Sequence, residues 1–284
     1  VTSPIAGPRR SRADARYDAL GHDPIAEEAV PRNGSARKVW PLDRRAGKQL
    51  LVAYLAIGVV LAIVGLLLVH VLDHTAVVRF DVRVSKWFER QRTPLRNDFG
   101  QVGAGLADAY TLTPAVILLS IAFLAVWKRW HDVIMFGGVL LMEKALFLPV
   151  TLIVGRDRPP VVQLDGAPPT SSYPSGHVAA GMVAYVALAI VIRWHFRNRI
   201  VRDGVVVLAV VAPVSVAVAR LYLGMHHVTD VLASVCYAAV CLLVMHRVLT
   251  RAVERLAVRH PDLPERARVL DLTAASRTTE MGAE

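Results

Sequence analysis

Apolar positions in this chain fall into long unbroken runs, and short charged stretches separate them. The first run, Leu50 to Val69, carries no charged residue, and a hydrocarbon core of ~30 Å is crossed by about 20 helical residues. Five further runs follow, so the pattern predicts six spans at roughly 49–72, 108–127, 133–154, 174–193, 204–223 and 228–248. The predicted fold class is all-α: a polytopic membrane protein with six transmembrane helices. A long polar segment precedes the first run and no small-residue cleavage site follows it, so that run reads as a retained helix rather than a signal segment.

The stretch after the first span has a different period. In FDVRVSKWFERQR, Phe80, Val84, Trp87 and Phe88 recur at i, i+4, i+7 and i+8, with charges on the other face. That pattern predicts an amphipathic helix lying in the outer interface as an anchor. Trp40, Trp127, Trp130 and Trp194 sit at the inner ends of the spans and read as belt residues. Residues 1–48 are rich in Pro, Gly, Ala, Arg and acidic residues without apolar periodicity, which predicts a disordered cytoplasmic tail. Residues 49–250 form one membrane domain, and 251–284 a charged cytoplasmic tail.

Composition sharpens this picture. Hydrophobic residues make up 54% of the chain and charged ones only 20%, so the charges crowd into the connecting segments. The net charge of +10 suggests nucleic acid at first sight, but no basic run is interleaved with aromatics and the arginines flank apolar runs. No nucleic-acid partner is expected; the partner is the bilayer. With the N-terminus inside, the inner flanks carry nearly twice the Lys and Arg of the outer segments. Both termini are therefore expected to be cytoplasmic in a plasma or inner membrane, with segments 73–107 and 155–176 outside. Cys236 and Cys241 lie five apart in one apolar run and supply neither a disulfide nor a metal framework.

Three polar clusters interrupt the apolar pattern, and all three fall at outer helix ends: Gly155 to Pro160, Tyr173 to His177, and Arg220 followed by His226, His227 and Asp230. An arginine at a helix centre costs ~2.5–3.5 kcal/mol on insertion scales, so such residues face polar sites. Arg158 and Arg220 offer planar forks suited to phosphate oxygens. Ser175 adds a hydroxyl, and Gly176 lets backbone N–H groups approach an anion at a helix N-terminus. Histidine serves as nucleophile or proton donor near neutral pH. On a continuous helix His226 and Asp230 are i, i+4 neighbours, so the carboxylate could hold the imidazole. His177 arrives from another helix, free to protonate a leaving oxygen.

The chain here resembles the type 2 phosphatidic acid phosphatase superfamily, whose signature is Lys-x6-Arg-Pro, Pro-Ser-Gly-His and Ser-Arg-x5-His-x3-Asp. It supplies Arg158-Pro159, Pro174-Ser175-Gly176-His177 and Arg220-x5-His226-x3-Asp230. The resemblance implies that His226 takes up the phosphoryl group, Asp230 orients it and His177 is the general acid. Arg158, Ser175, Gly176 and Arg220 would hold the phosphate, without metal or cofactor. The implied substrate is a membrane lipid phosphate or diphosphate, with polyprenyl diphosphate first, then phosphatidic acid and phosphatidylglycerol phosphate. A lipid phosphotransferase with the same site, or a non-catalytic phospholipid-binding or transport protein, are the alternatives.

Two positions depart from the signature: Thr151 stands where the family has lysine, and Ala219 where it has serine. Lys144 lies two turns deeper than Thr151, ~10.5 Å along the helix, so Arg156 is the favoured substitute cation at the phosphate. Glu143 and Lys144, adjacent intramembrane charges, either support the site or pair with other helices.

Overall fold

The computed structural model describes residues 41–166 and 170–259. Six of its helical segments are long and apolar enough to cross a membrane. Helix α1 (Arg44–His70) is followed by two shorter helices, α2 (Ala76–Arg90) and α3 (Pro94–Gly105), and then by α4 (Ala109–Trp127). The third span runs from α5 (Trp130–Val133) through a π-helical turn at Ile134–Gly138 into α6 (Val139–Val154). Helices α7 (Gly176–His195), α8 (Arg199–Tyr222) and α9 (Val228–Arg259) complete the bundle.

The boundaries differ from the sequence expectation at both ends. Helix α1 begins at Arg44, inside the segment expected to be tail, because Asp43 caps it: Oδ1 accepts the Ala46 N–H at 2.8 Å. The same carboxylate accepts Nε and Nη2 of Arg255 at 2.8 and 2.9 Å, and this ties the start of the first span to a last helix that continues beyond 250. The tail expectations for 1–40 and 260–284 lie outside the described residues. Segment 73–107 holds two helices where one was expected. Thr93 caps the second, accepting the Arg96 N–H at 3.3 Å, and Pro94 occupies its first turn, where a missing N–H costs nothing.

Helix α7 is the centre of the bundle and packs on α6, α8 and α9. Its buried positions include Ala179, Ala180, Gly181, Ala184 and Ala187. Between apolar helices in lipid, association relies on close packing, which small residues allow. A Cβ on Gly181 would stand 3.2 Å from the Cβ of Ala107. Helix α1 instead exposes Val52, Val60 and Ile63 as a lipid-facing stripe.

The tryptophans at this end of the bundle pack more than the belt expectation allowed. Trp127 stacks flat on His195, with centroids 3.8 Å apart, and Trp194 lies against His131 and His246. His131 and His195 reach the two oxygens of buried Asp132 at 3.0 and 2.9 Å, so this end of the bundle is a polar clamp. Trp40 lies outside the described residues.

Candidate active site

The turn between α8 and α9 makes the site. Arg220 is in the last turn of α8, and Gly224 then reverses the chain with φ +74°, a conformation L side chains rarely adopt. A Cβ there would come within 2.8–2.9 Å of Val161, Arg92 and the Val162 carbonyl, so glycine is required on two counts. Helix α9 starts at Val228, and Asp230 in its first turn accepts the His227 N–H at 2.8 Å, satisfying one orphan donor.

That start leaves His226 outside the helix, yet still beside Asp230. His226 Nδ1 is 3.9 Å from the Asp230 carboxylate. It instead donates to the Ser172 carbonyl at 2.6 Å. A carbonyl only accepts, so the proton sits on Nδ1 and the lone pair on Nε2. Burial, reinforced by Arg220 and Arg158, holds this imidazole well below its ordinary pKa and keeps it neutral.

Arg156 does not face the phosphate cradle, contrary to the expectation from sequence. It is buried, with Nη1 on Asp230 and on Thr229 Oγ1 (2.6 Å) and Nη2 on Asp81 at 3.0 Å. Asp81 is fully buried on α2 and also accepts the Thr229 N–H at 3.1 Å and the Thr229 hydroxyl. The Asp81–Arg156–Asp230 chain thus fastens the interfacial helix to the start of α9. Sequence reasoning missed Asp81, although Asp81 and Ser85 fall i, i+4 on the edge of the amphipathic stripe.

The other predicted residues converge. Arg158 donates to the Met225 carbonyl at 2.7 Å and to that of Thr170 at 3.4 Å, joining the first two signature loops to the third. Arg220 is buried, with Nη1 on Asp165 and Nε without a hydrogen-bond partner among the described residues. The Ser175 N–H donates to Ser234 Oγ at 2.7 Å, while its own buried hydroxyl has no partner among the described residues and stands at the N-terminus of α7. Gly176 opens that helix against the Phe147 ring, 3.0 Å from where a Cβ would be, and half-buried His177 follows. Orphan N–H groups, the Ser175 hydroxyl and two guanidinium groups are the donors that an anion cradle at this end of the bundle would use.

Thr151 is buried, its hydroxyl 3.5 Å from the Ser171 carbonyl, and offers no charge. Glu143 accepts the Tyr237 hydroxyl at 2.9 Å and holds Lys144 at 3.5 Å, so these charges link α6 to α9, while the Lys144 charge also acts on His177. His227 is lowered to about 4 by burial and by Arg156, and lies on the structural side of the network. Among the described residues no His, Cys, Asp or Glu cluster could hold a metal ion.

Residues 132–254 match the profile of the PAP2 superfamily, the type 2 phosphatidic acid phosphatases. No curated protein matches the chain. A solved PAP2-type phosphatidylglycerolphosphate phosphatase from Bacillus subtilis is similar at 25% identity, with a TM-score of 0.56, over 69% of this chain and 92% of that one. LpxE from Aquifex aeolicus is similar at 20% identity, with a TM-score of 0.46, over 59% of this chain and 95% of that one. The chain thus carries a PAP2 superfamily domain over residues 132–254, and it is an integral membrane phosphatase.

Proposed function

We propose that this phosphatase hydrolyses a lipid phosphate or diphosphate at the non-cytoplasmic membrane surface through a phosphohistidine on His226. The observation that carries this reading is the Ser172 carbonyl on His226 Nδ1, which leaves Nε2 unprotonated and able to attack. Nε2 attacks phosphorus, the bond from phosphorus to the lipid oxygen breaks, and His177 gives that oxygen a proton. Water then attacks the phosphohistidine, His177 takes its proton back, and the nitrogen–phosphorus bond breaks to release phosphate. Arg158, Arg220, the Ser175 hydroxyl and the N–H groups after Gly176 hold the charge that spreads over the phosphoryl oxygens, which removes the need for a metal.

The outer assignment rests on the Lys and Arg bias of the opposite flanks. Polyprenyl diphosphate is the first substrate to test, beside phosphatidic acid and phosphatidylglycerol phosphate, the last because the Bacillus subtilis relative is described as acting on it. The deciding experiment is a rapid quench with labelled substrate in excess EDTA, kept away from acid. An acid-labile phosphoprotein is expected in wild type and in His227→Ala, and none in His226→Ala. Label that persists in His226→Ala and disappears in His227→Ala would move the nucleophile by one residue.

A further inference from the structure

The Asp165 carboxylate occupies the Arg220 guanidinium, the side of the cradle where the preceding section places a phosphate. Arg220 has 2% of its side chain exposed and Asp165 33%, so a buried cation is neutralised by an anion that reaches solvent. A bare Arg220 beside Arg158 would carry the full cost of an uncompensated buried charge. The contact is one-sided. Asp165 Oδ2 takes Nη1 and its Oδ1 accepts the Gly166 N–H at 2.8 Å, while Arg220 Nε is buried with no partner among the described residues. A phosphate taking two nitrogens of the fork gains the bidentate geometry that Asp165 forgoes.

The backbone beneath Asp165 is fastened. The Leu164 N–H donates to the Leu223 carbonyl at 3.0 Å, and Gln101 Nε2 donates to the Leu164 carbonyl at 2.7 Å. Just upstream, Val162 is bonded through its N–H to Glu89 and through its carbonyl to Arg92. The carboxylate can therefore leave Arg220 by side-chain rotation toward solvent while the loop stays in place.

We infer that Asp165 is an internal competitor for the phosphate site: its carboxylate stands in for the phosphoryl group in the empty enzyme and is displaced when substrate binds. This rests on the functional reading only in placing a phosphate on Arg220. Two consequences follow from its charge. Weakly held anions such as free phosphate are kept out, and released product is replaced by an anion already tethered at the site. A ligand that must displace a closed state binds more weakly in proportion to the open fraction.

The test is the affinity of purified full-length protein for orthovanadate and inorganic phosphate, read both by inhibition of aryl phosphate hydrolysis and by thermal stabilisation without substrate. Asp165→Asn keeps the shape and removes the charge, and should tighten both anions by ~10-fold and lower KM in parallel, the size expected for a latch closed about nine-tenths of the time. Asp165→Glu should return the affinities toward wild type. Unchanged or weaker anion binding in Asp165→Asn would overturn the inference and make Asp165 a support for Arg220. Thermal stabilisation needs no turnover, so it reads the latch even if the phosphohistidine experiment fails.

Discussion

Replacing Arg156 by methionine removes a cation that Asp81 and Asp230 share, and both carboxylates are fully buried. Breaking a buried pair by deleting one partner costs ~3–5 kcal/mol, because the charge left behind is neither solvated nor compensated. On the scale of ~2–4 °C per kcal/mol for a chain of this size, Arg156→Met should melt ~6–20 °C below wild type. Asp81→Asn keeps an acceptor for the Thr229 N–H and deletes one of the two stranded charges, so the double variant should regain part of the loss. Groups sharing one network couple by ~0.5–3 kcal/mol, and the recovery should fall in that range. The assay is thermal unfolding of the detergent-solubilised protein near pH 7, with vanadate affinity measured in parallel. If Arg156 instead bound the phosphate, the single variant would melt like wild type and lose vanadate affinity, and Asp81→Asn would recover nothing. That pattern would refute the structural assignment of Arg156.

Thr151→Lys returns the cation that the family signature carries, and should tighten vanadate binding by ~3–10-fold if the ammonium reaches an oxyanion. Titrated inhibition checks it, and an unchanged constant would show that position 151 points away. His227 is held at about 4 against an ordinary 6.5, so the unfolded chain binds the extra proton in that window and stability falls as pH drops from about 6.5 toward 4. His227→Gln should flatten this acid slope in melting curves, and an unaltered slope would assign the loss to other groups.

The spans were legible because each apolar run is long enough on its own, whatever packs against it. The three signature clusters were legible because their spacing is local and they punctuate an apolar background. Partners across space were not. The α9 start at Val228 is set by Asp230 accepting the His227 N–H, and this two-residue detail moves His226 off the helix and hands its orientation to Ser172. Arg156 was favoured because Lys144 lies too deep in its helix, yet the direction of Arg156 is fixed by Asp81, 75 positions earlier. Helix α3 was hidden by its low apolar content, although Thr93-Pro94 is a recognisable start.

The Asp81 clasp also orders the assembly of the protein. Asp81 is synthesised 75 residues before Arg156 and 148 before Thr229. While the chain is being made, its carboxylate has no counterpart and must remain in water at the membrane face. Docking α2 on the bundle therefore waits until the third span has delivered Arg156, and becomes complete only when the last span brings Thr229 and Asp230. A nascent chain stopped before residue 228 has its arginines in place and no finished reaction centre, so phosphate chemistry is withheld until insertion is complete.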